Sequence, residues 1–353
     1  MPPMTMKERI LAVVQGKELD RVPFVIYDGM LPMDAVDRQL GNPDRIGLMR
    51  WSEVHKVITP HCHFVTEDYR VGKDKWQRIT LHTPAGSIYE ERQFEPVFDS
   101  SSIRKHFVQE KADYPVLWSY LQDSTIIPDY DRYYRDQAEL GERGVPLVAV
   151  ERTPYQNLWI IWVGLDNLSY HLADFPDCVA RTFSLLEQRE RQIFEIVRCS
   201  PVPFIDFPDN ITANAIGPAR FRRHCTSLYD ELAAILGEKV PVFVHMDGDL
   251  KPLWGAISAS KVLGLDSFTP APDNDTRVAD AVALWPQMRL FVNFPSSVHL
   301  RPYDQVRAEA EDILATAGHT GRLQIQVSEN VPLDKWQTSF PAIADAIDAF
   351  GKP

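Results

Sequence analysis

The residues best suited to chemistry lie in "PVFVHMDGDL" (residues 241–250), where an apolar run is followed by a histidine and two aspartates. Such groups are expensive to bury, so a strand that ends in them usually presents them to a ligand, a metal or a reaction. His245 and Asp247 are two residues apart on an extended segment, so their side chains leave the same face. An imidazole and a carboxylate so placed can chelate a divalent metal, and Glu329 from a later strand could complete the site. The open alternative is a histidine that its neighbouring aspartate only orients.

Similar polar residues follow several other apolar runs of the sequence. A single residue of this kind would be weak evidence, because a polar residue after a strand is more often a helix N-cap or a loop hydrogen-bond partner. Together they predict a pocket, provided that the strands end at one mouth. The candidate substrate-binding residues are Tyr27, Asp28, Asp206, Asp209, Asn210 and Asn293. Glu151 is a further catalytic candidate, as a proton acceptor.

The elements that must position these residues alternate between strand and helix from about residue 145 onward. Six apolar runs are separated in several places by amphipathic stretches such as "YDQVRAEAEDILATAG". Repeated βα units of this length imply parallel strands with helical crossovers. Adding "VPFVIYD" and "HCHFVTED" brings the strands to eight, which predicts an α/β fold of the (β/α)8 TIM-barrel type. No GxGxxG or GxxxxGK[ST] loop follows a strand, which disfavours a doubly wound sheet.

The N-terminal part of the chain predicts two elaborations of the barrel. Thr5 is a plausible N-cap for a helix within residues 1–20, whose Ile10, Val13 and Val14 share one face. Residues 60–92 alternate in the manner of β-strands around a turn at Thr83–Gly86, which predicts a hairpin. No linker-like segment marks a boundary, so residues 1–353 are predicted to form a single barrel domain.

Composition excludes several classes of function. The formal net charge of −12 leaves no basic stripe for phosphates, so nucleic acid and anionic membrane surfaces are unlikely partners. The 4 cysteines are too few and too scattered for a disulfide framework. There is no signal-peptide core and no run of about 18 apolar residues. We expect a cytoplasmic protein that acts on a small molecule, with a homo-oligomer left open.

Several blocks of the sequence resemble the signature blocks of the uroporphyrinogen decarboxylase superfamily. They include "KERILAVVQGKELDRVPF", "TPAGSIYEE", "FIDFPDNITA", "VPVFVHMDGDLKPL" and "FVNFPSSVHL", and they fall in order over nearly the whole chain. The resemblance implies a (β/α)8 barrel. True decarboxylases of this superfamily carry an Arg-Gln-Ala-Gly-Arg block after the first strand, whose arginines meet substrate carboxylates. The equivalent stretch here, "YDGMLPMD", has no arginine, so decarboxylation of the porphyrinogen is disfavoured.

The other main branch of the superfamily comprises methyltransferases that move a methyl group to or from a corrinoid protein. Those enzymes bind zinc through a His-x-Cys pair and a later cysteine. Here His245-Met246-Asp247 stands for the pair, and "SENVP" places Glu329 at the later position. Carboxylates make a harder metal site than thiolates, so the resemblance implies a hydroxyl, ether or amine substrate instead of a thiol. A zinc site of His245, Asp247 and Glu329 and metal-free catalysis both stay open.

The leading hypothesis is therefore a methyltransferase that moves a methyl group between a small O- or N-containing substrate, or tetrahydrofolate, and a corrinoid protein. The chain lacks an Asp-x-His-x-x-Gly segment, which would supply a corrinoid's lower axial histidine, so the cobalamin cofactor is expected on a partner protein. One alternative is a decarboxylase or lyase of a smaller carboxylated molecule, for which Arg152 adjoins a strand exit. Another is a non-catalytic binding barrel, in which His245, Asp247 and Glu329 would not converge.

Overall fold

The computed structural model describes residues 3–98, 100–237 and 239–353. The chain divides into two compact units. The first, here called the barrel unit, comprises Met1–Val54, Asp129–Val150 and Val197–Pro353. The second, the sheet unit, comprises His55–Pro128 and Glu151–Ile196. The prediction that residues 1–353 form one domain stays a prediction.

Strands and helices run through both units. The strands are β1 (Phe24–Tyr27), β2 (Gly47–Ser52), β3 (His55–Ile58), β4 (His63–Val71), β5 (Asp74–Thr83), β6 (Gly86–Phe94), β7 (Ser101–Lys105), β8 (Thr125–Pro128), β9 (Gly144–Val148), β10 (Ile205–Phe207), β11 (Val242–His245), β12 (Gly264–Phe268), β13 (Arg289–Asn293) and β14 (Leu323–Val327). The α-helices are α1 (Met6–Gln15), α2 (Met33–Leu40), α3 (Tyr114–Asp123), α4 (Tyr130–Leu140), α5 (Pro154–Asn157), α6 (Leu165–Asp174), α7 (Pro176–Arg198), α8 (Ala213–Phe221), α9 (Ser227–Leu236), α10 (Trp254–Ala259), α11 (Val278–Leu284), α12 (Tyr303–Ala317) and α13 (Trp336–Phe350).

The barrel unit contains one parallel sheet of 8 strands in the order β10-β11-β12-β13-β14-β1-β2-β9. An isolated parallel bridge between Ala149 and Asp206 joins the last strand of this order to the first, so the sheet curls into a nearly closed ring. Helices lie between successive strands in the chain, as parallel pairing requires. The structure thus confirms the predicted (β/α)8 barrel. In such a barrel the carboxyl ends of the strands form one mouth.

One of the eight predicted barrel strands is wrong. Most of "HCHFVTED" (residues 61–68) lies in β4, which pairs antiparallel with β5 in the sheet unit. In the barrel, β2 is the strand that pairs with β1 on this side, with Val25 opposite Gly47. Barrel strands are buried on both faces and therefore need nearly continuous apolar side chains. Most residues of β4 are exposed, whereas those of β2 are mostly buried although Arg50 interrupts the apolar pattern.

The sheet unit holds a four-stranded antiparallel sheet, β4-β5-β6-β7, and a separate β3-β8 pair. The predicted hairpin is confirmed as β5 and β6, with Thr83 opposite Gly86 across the turn. The Thr83 hydroxyl closes this turn by accepting from the Ala85 amide and donating to the Gly86 carbonyl, each over 3.1 Å. Gly86 has a φ of 129°, a conformation that favours glycine.

The N-terminal helix is also confirmed. Thr5 accepts from the Glu8 amide and the Glu8 side chain accepts from the Thr5 amide, which forms a capping box, and Gly16 ends the helix in the left-handed region. Ile10, Val13 and Val14 are fully buried in the same core cluster as residues of the barrel strands. The 3.6-residue periodicity thus identified the buried face correctly.

We expect Gly264→Ala to destabilise the barrel by about 1–3 kcal/mol, because an added methyl group overpacks a filled core. A Cβ at Gly264 would lie 2.1 Å from the ring of the fully buried Phe243. The matched control is Gly255→Ala in α10, where a Cβ meets nothing within 4 Å. That change should leave stability unchanged or raise it by about 0.5–1 kcal/mol. Urea denaturation gives both free energies of unfolding, and equal values for the two variants would contradict the packing described.

No helix in the described part of the chain combines the length and the apolar character needed to cross a bilayer.

Candidate functional site

Three buried side chains from neighbouring barrel strands converge: Asp206 of β10, His245 of β11 and Asp266 of β12. His245 and Asp266 are direct partners in the parallel pairing of their strands. One nitrogen or oxygen atom from each of the three residues lies within 4.8 Å of the corresponding atoms of the other two. We call this group the buried triad. Asp206 and Asp266 are fully buried and His245 is 8% exposed.

His245 lies between two carboxylates. Its Nδ1 is 3.5 Å from Oδ2 of Asp266, and its Nε2 is 3.7 Å from Oδ2 of Asp247. Burial disfavours the charged imidazole and lowers its pKa, but the two carboxylates outweigh this effect and raise the pKa of His245 to about 10. Without a bound cation, the imidazole is therefore protonated at neutral pH and neutralises part of the surrounding negative charge.

Asp266 is held by hydrogen bonds on both of its oxygens. The Tyr27 hydroxyl donates to Oδ2 over 2.7 Å, and Nε2 of Gln326 donates to Oδ1 over 2.7 Å. Burial and the negative charge of Asp266 hold the pKa of Tyr27 well above its usual range, so the hydroxyl keeps its proton and acts as the donor. Tyr27 and Gln326 thus fix the orientation of the Asp266 carboxylate.

Asp247 lies at the edge of the buried triad, with 22% of its side chain exposed. Nδ2 of Asn210 donates to its Oδ2 over 2.8 Å. Burial would raise the pKa of Asp247, but His245 and the Asn210 hydrogen bond hold it below its usual value. Asn210 has a φ of 50°, in the left-handed region that asparagine tolerates better than most residues. The predicted pair of His245 and Asp247 and the predicted Asn210 therefore do lie together.

Glu329 follows β14 and is exposed to solvent. Partial burial of its carboxyl group and the nearby charge of Asp247 raise its pKa, whereas the charge of His245 lowers it. Glu329 therefore lies near the predicted pair but outside the buried triad. Asn293 supports the loop that carries Glu329, because its Oδ1 accepts from the Ser328 amide over 3.0 Å.

Other predicted site residues have partners of their own. Asp28 accepts from Nε of Arg50 over 2.7 Å, and the buried Asp209 accepts from the Tyr229 hydroxyl. Glu151 belongs to the sheet unit, where it forms a salt bridge with Arg189. Their assignment to substrate binding or catalysis stays a prediction.

Sequence reasoning missed Asp266, Gln326 and Trp51. Asp266 lies inside the apolar run "LGLDSF", so it does not mark the end of a strand in the sequence. A charged residue within a strand that is otherwise buried was the available signal, since such a group needs a partner. Trp51 lies in the barrel strand that went unrecognised. Its ring contacts Tyr27 edge-on at 5.5 Å and lies 6.1 Å from the imidazole of His245, between ring centroids.

Comparison with known proteins gives a fold and no family. No family model matches the sequence, and no curated protein matches it. Among solved structures, a methyltransferase from Methanosarcina mazei is 13% identical, with 98% of this chain and 99% of that chain covered and a TM-score of 0.60. An L-Ala-D/L-Glu epimerase is 10% identical, with 83% of this chain and 90% of that chain covered, but its TM-score of 0.23 is too low to show a shared fold. The first likeness shows a shared barrel fold.

Proposed function

We propose that this protein is a methyltransferase that moves a methyl group between a small O- or N-containing substrate and a corrinoid carried by a partner protein. The observation that carries the proposal is the position of His245, between Asp247 and Asp266 and beside Asp206, at the carboxyl end of β11, since enzymes of this fold react at the carboxyl ends of their strands. The fold shared with the Methanosarcina mazei methyltransferase over 98% of the chain supports it. The site is the stronger support, because one fold hosts many activities.

The proposed reaction needs a group that stabilises a poor leaving group. In the demethylating direction the bond between the methyl carbon and the substrate heteroatom breaks, and its electron pair stays on the heteroatom. A reduced corrinoid would accept the methyl group and would supply the electron pair of the new bond to carbon. The heteroatom leaves more readily when a proton or a cation neutralises its developing charge. His245 can supply a proton, since its pKa of about 10 keeps it protonated at neutral pH in the ion-free site.

The buried triad also fits a divalent metal. It offers one imidazole nitrogen and two carboxylates, and Nδ1 of His245 has no hydrogen-bond partner although it is buried. Zinc in such a site would act as a Lewis acid on the substrate heteroatom. Around it, Tyr27 and Gln326 would hold Asp266, and Trp51 would shield the site from water.

The negative charge of the site distinguishes methyl transfer from a neutral or cationic donor from reactions of carboxylated substrates. Asp206, Asp247, Asp266 and Glu329 surround the single imidazole of His245, which makes the site acidic. A decarboxylase or lyase of a carboxylated molecule needs a cationic pocket, and tetrahydrofolate also carries carboxylates. The acidic site therefore favours a neutral or cationic methyl donor.

An anaerobic assay tests this function. The purified protein is mixed with free reduced cobalamin and methyl donors of three kinds: neutral methoxyaromatics, quaternary amines and their carboxylated counterparts. We expect enzyme-dependent formation of methylcobalamin, measured by absorbance and confirmed by mass spectrometry with a deuterated methyl group. The reverse reaction is followed from methylcobalamin to phenol or amine acceptors. Absence of transfer in both directions, also with a corrinoid-binding protein as the carrier, would refute the proposal.

A further inference from the structure

We infer that the buried triad is a divalent metal site, in which Nδ1 of His245, Asp206 and Asp266 are the ligands and Asp247 orients the imidazole from its other side. This assignment differs from the set of His245, Asp247 and Glu329 that the sequence resemblance implies. It rests on the proposed function for the role of the ion in the reaction. The geometry that points to it is independent of that function.

The distances around His245 favour Nδ1 as the ligand atom. Nδ1 is buried and has no hydrogen-bond partner, yet it lies 3.5 Å from Oδ2 of Asp266. Two ligands with bonds of about 2.1 Å to a tetrahedral ion are separated by about 3.4 Å. The gap between Nδ1 and Oδ2 is thus too long for a good hydrogen bond and matches the spacing of two metal ligands. The third ligand group, Asp206, lies within 4.8 Å of the other two.

The surroundings of the triad match those of metal ligands in other proteins. A ligating histidine usually presents its second nitrogen to a carboxylate or a carbonyl, and ligating carboxylates are themselves hydrogen-bonded. Nε2 of His245 faces Oδ2 of Asp247 at 3.7 Å, which is beyond hydrogen-bond length but close enough for charge attraction. Asp266 accepts hydrogen bonds from Tyr27 and Gln326. Asp266 would therefore already be held in place before an ion binds, and His245 would be attracted toward Asp247 on the side away from Nδ1.

Burial separates the two candidate ligand sets. Asp206 and Asp266 are both fully buried, with one carboxylate oxygen of each within 4.8 Å of the other, and buried carboxylates are normally paired or bound to metals. Asp247 is partly exposed and Glu329 is exposed, so water can solvate both. A divalent ion would offset the two buried charges far better than a single imidazolium. Three protein ligands would leave a fourth position open for the heteroatom of the substrate, as in catalytic zinc sites.

Metal binding by isosteric variants tests the assignment without an activity measurement. The full-length protein is purified without chelator and titrated with zinc, and bound metal is measured by elemental analysis and by competition with a chromophoric chelator. We expect stoichiometric binding by the natural protein. Asp206→Asn and Asp266→Asn should each weaken it by more than about a hundredfold, since each removes a ligand, whereas Asp247→Asn should weaken it by about 10–100-fold as the loss of an orienting group. Glu329→Gln should change it by less than about threefold.

Controls separate ligand loss from misfolding. Asp28→Asn alters a carboxylate that is paired with Arg50 outside the triad, and it should bind zinc like the natural protein. Far-ultraviolet circular dichroism checks the fold of each variant. If either Asp206→Asn or Asp266→Asn fails to fold, the metal affinity of the other one tests the assignment. Cobalt-loaded protein adds a spectrum that should change in Asp206→Asn and stay unchanged in Glu329→Gln.

Two results would overturn the inference. One is a natural protein that binds no zinc or cobalt, and the other is loss of metal in Glu329→Gln with retention in both triad variants. Stoichiometric metal without any methyl transfer would refute the proposed function and leave the metal site standing. Methyl transfer by a protein that binds no metal would refute the metal site and leave the proposed function standing.

Discussion

We expect His245→Gln to lower kcat/KM for methyl transfer by about a thousandfold. Loss of a general acid typically costs 10²–10⁴-fold, and loss of a metal ligand removes the Lewis acid altogether. His245 is the residue on which both chemistries depend, because Asp247 and Asp266 flank its two nitrogens at 3.7 and 3.5 Å. Glutamine keeps much of the volume but carries no charge at neutral pH. Most of the loss should appear in kcat, since the leaving group needs help mainly in the transition state.

A matched control for this prediction is His319→Gln. His319 is exposed on a short turn that precedes β14, where its ring contacts Phe350 with 4.7 Å between centroids. The same chemical change at that position should leave both kcat and KM within about twofold of the natural protein. If His245→Gln keeps more than about a tenth of the natural kcat/KM, the imidazole has no direct part in the reaction.

The sequence could predict the centre of this site but not its composition. His245 and Asp247 were identified because polar residues directly after an apolar run are visible in one dimension, and the structure places them together with Asn210. Asp266 lies inside an apolar run and does not follow one, so that pattern could not identify it. It becomes a neighbour of His245 only through the pairing of β11 and β12. Pairing between strands depends on the closed barrel, and no local pattern reports it.

The fold shows the same division between local and non-local information. The capped helix α1 and the turn between Thr83 and Gly86 depend on contacts within a few residues, and both were predicted correctly. The second barrel strand was missed because "GLMRWS" carries Arg50, whose guanidinium pairs with Asp28 and Glu139. That pairing brings together residues far apart in the chain, so the segment alone does not show how its arginine is accommodated in a mostly buried strand.

The second prediction concerns the charge of the methyl donor. We expect a methoxybenzoate to react at least about a hundredfold more slowly than the uncharged methoxybenzene of the same shape. The site stays negative whether His245 is protonated without an ion or neutral beside a divalent one, since four carboxylates surround it. At an effective dielectric constant of about 20, one uncompensated charge about 6 Å from the donor's carboxylate costs about 3 kcal/mol. This energy corresponds to a factor of more than about a hundred in rate or affinity.

The variant that tests the cause of this selectivity is Glu329→Gln. Glu329 is exposed near Asp247, where it would be among the first charges that an incoming donor meets, and its replacement leaves the buried triad intact. We expect the ratio of kcat/KM between the neutral and the carboxylated donor to fall severalfold in this variant, mainly through a lower KM for the carboxylated one. The neutral donor should be affected much less, since it has no charge to repel. A natural protein that prefers the carboxylated donor would instead favour the decarboxylase or lyase alternative, because such a preference requires a cation at the site.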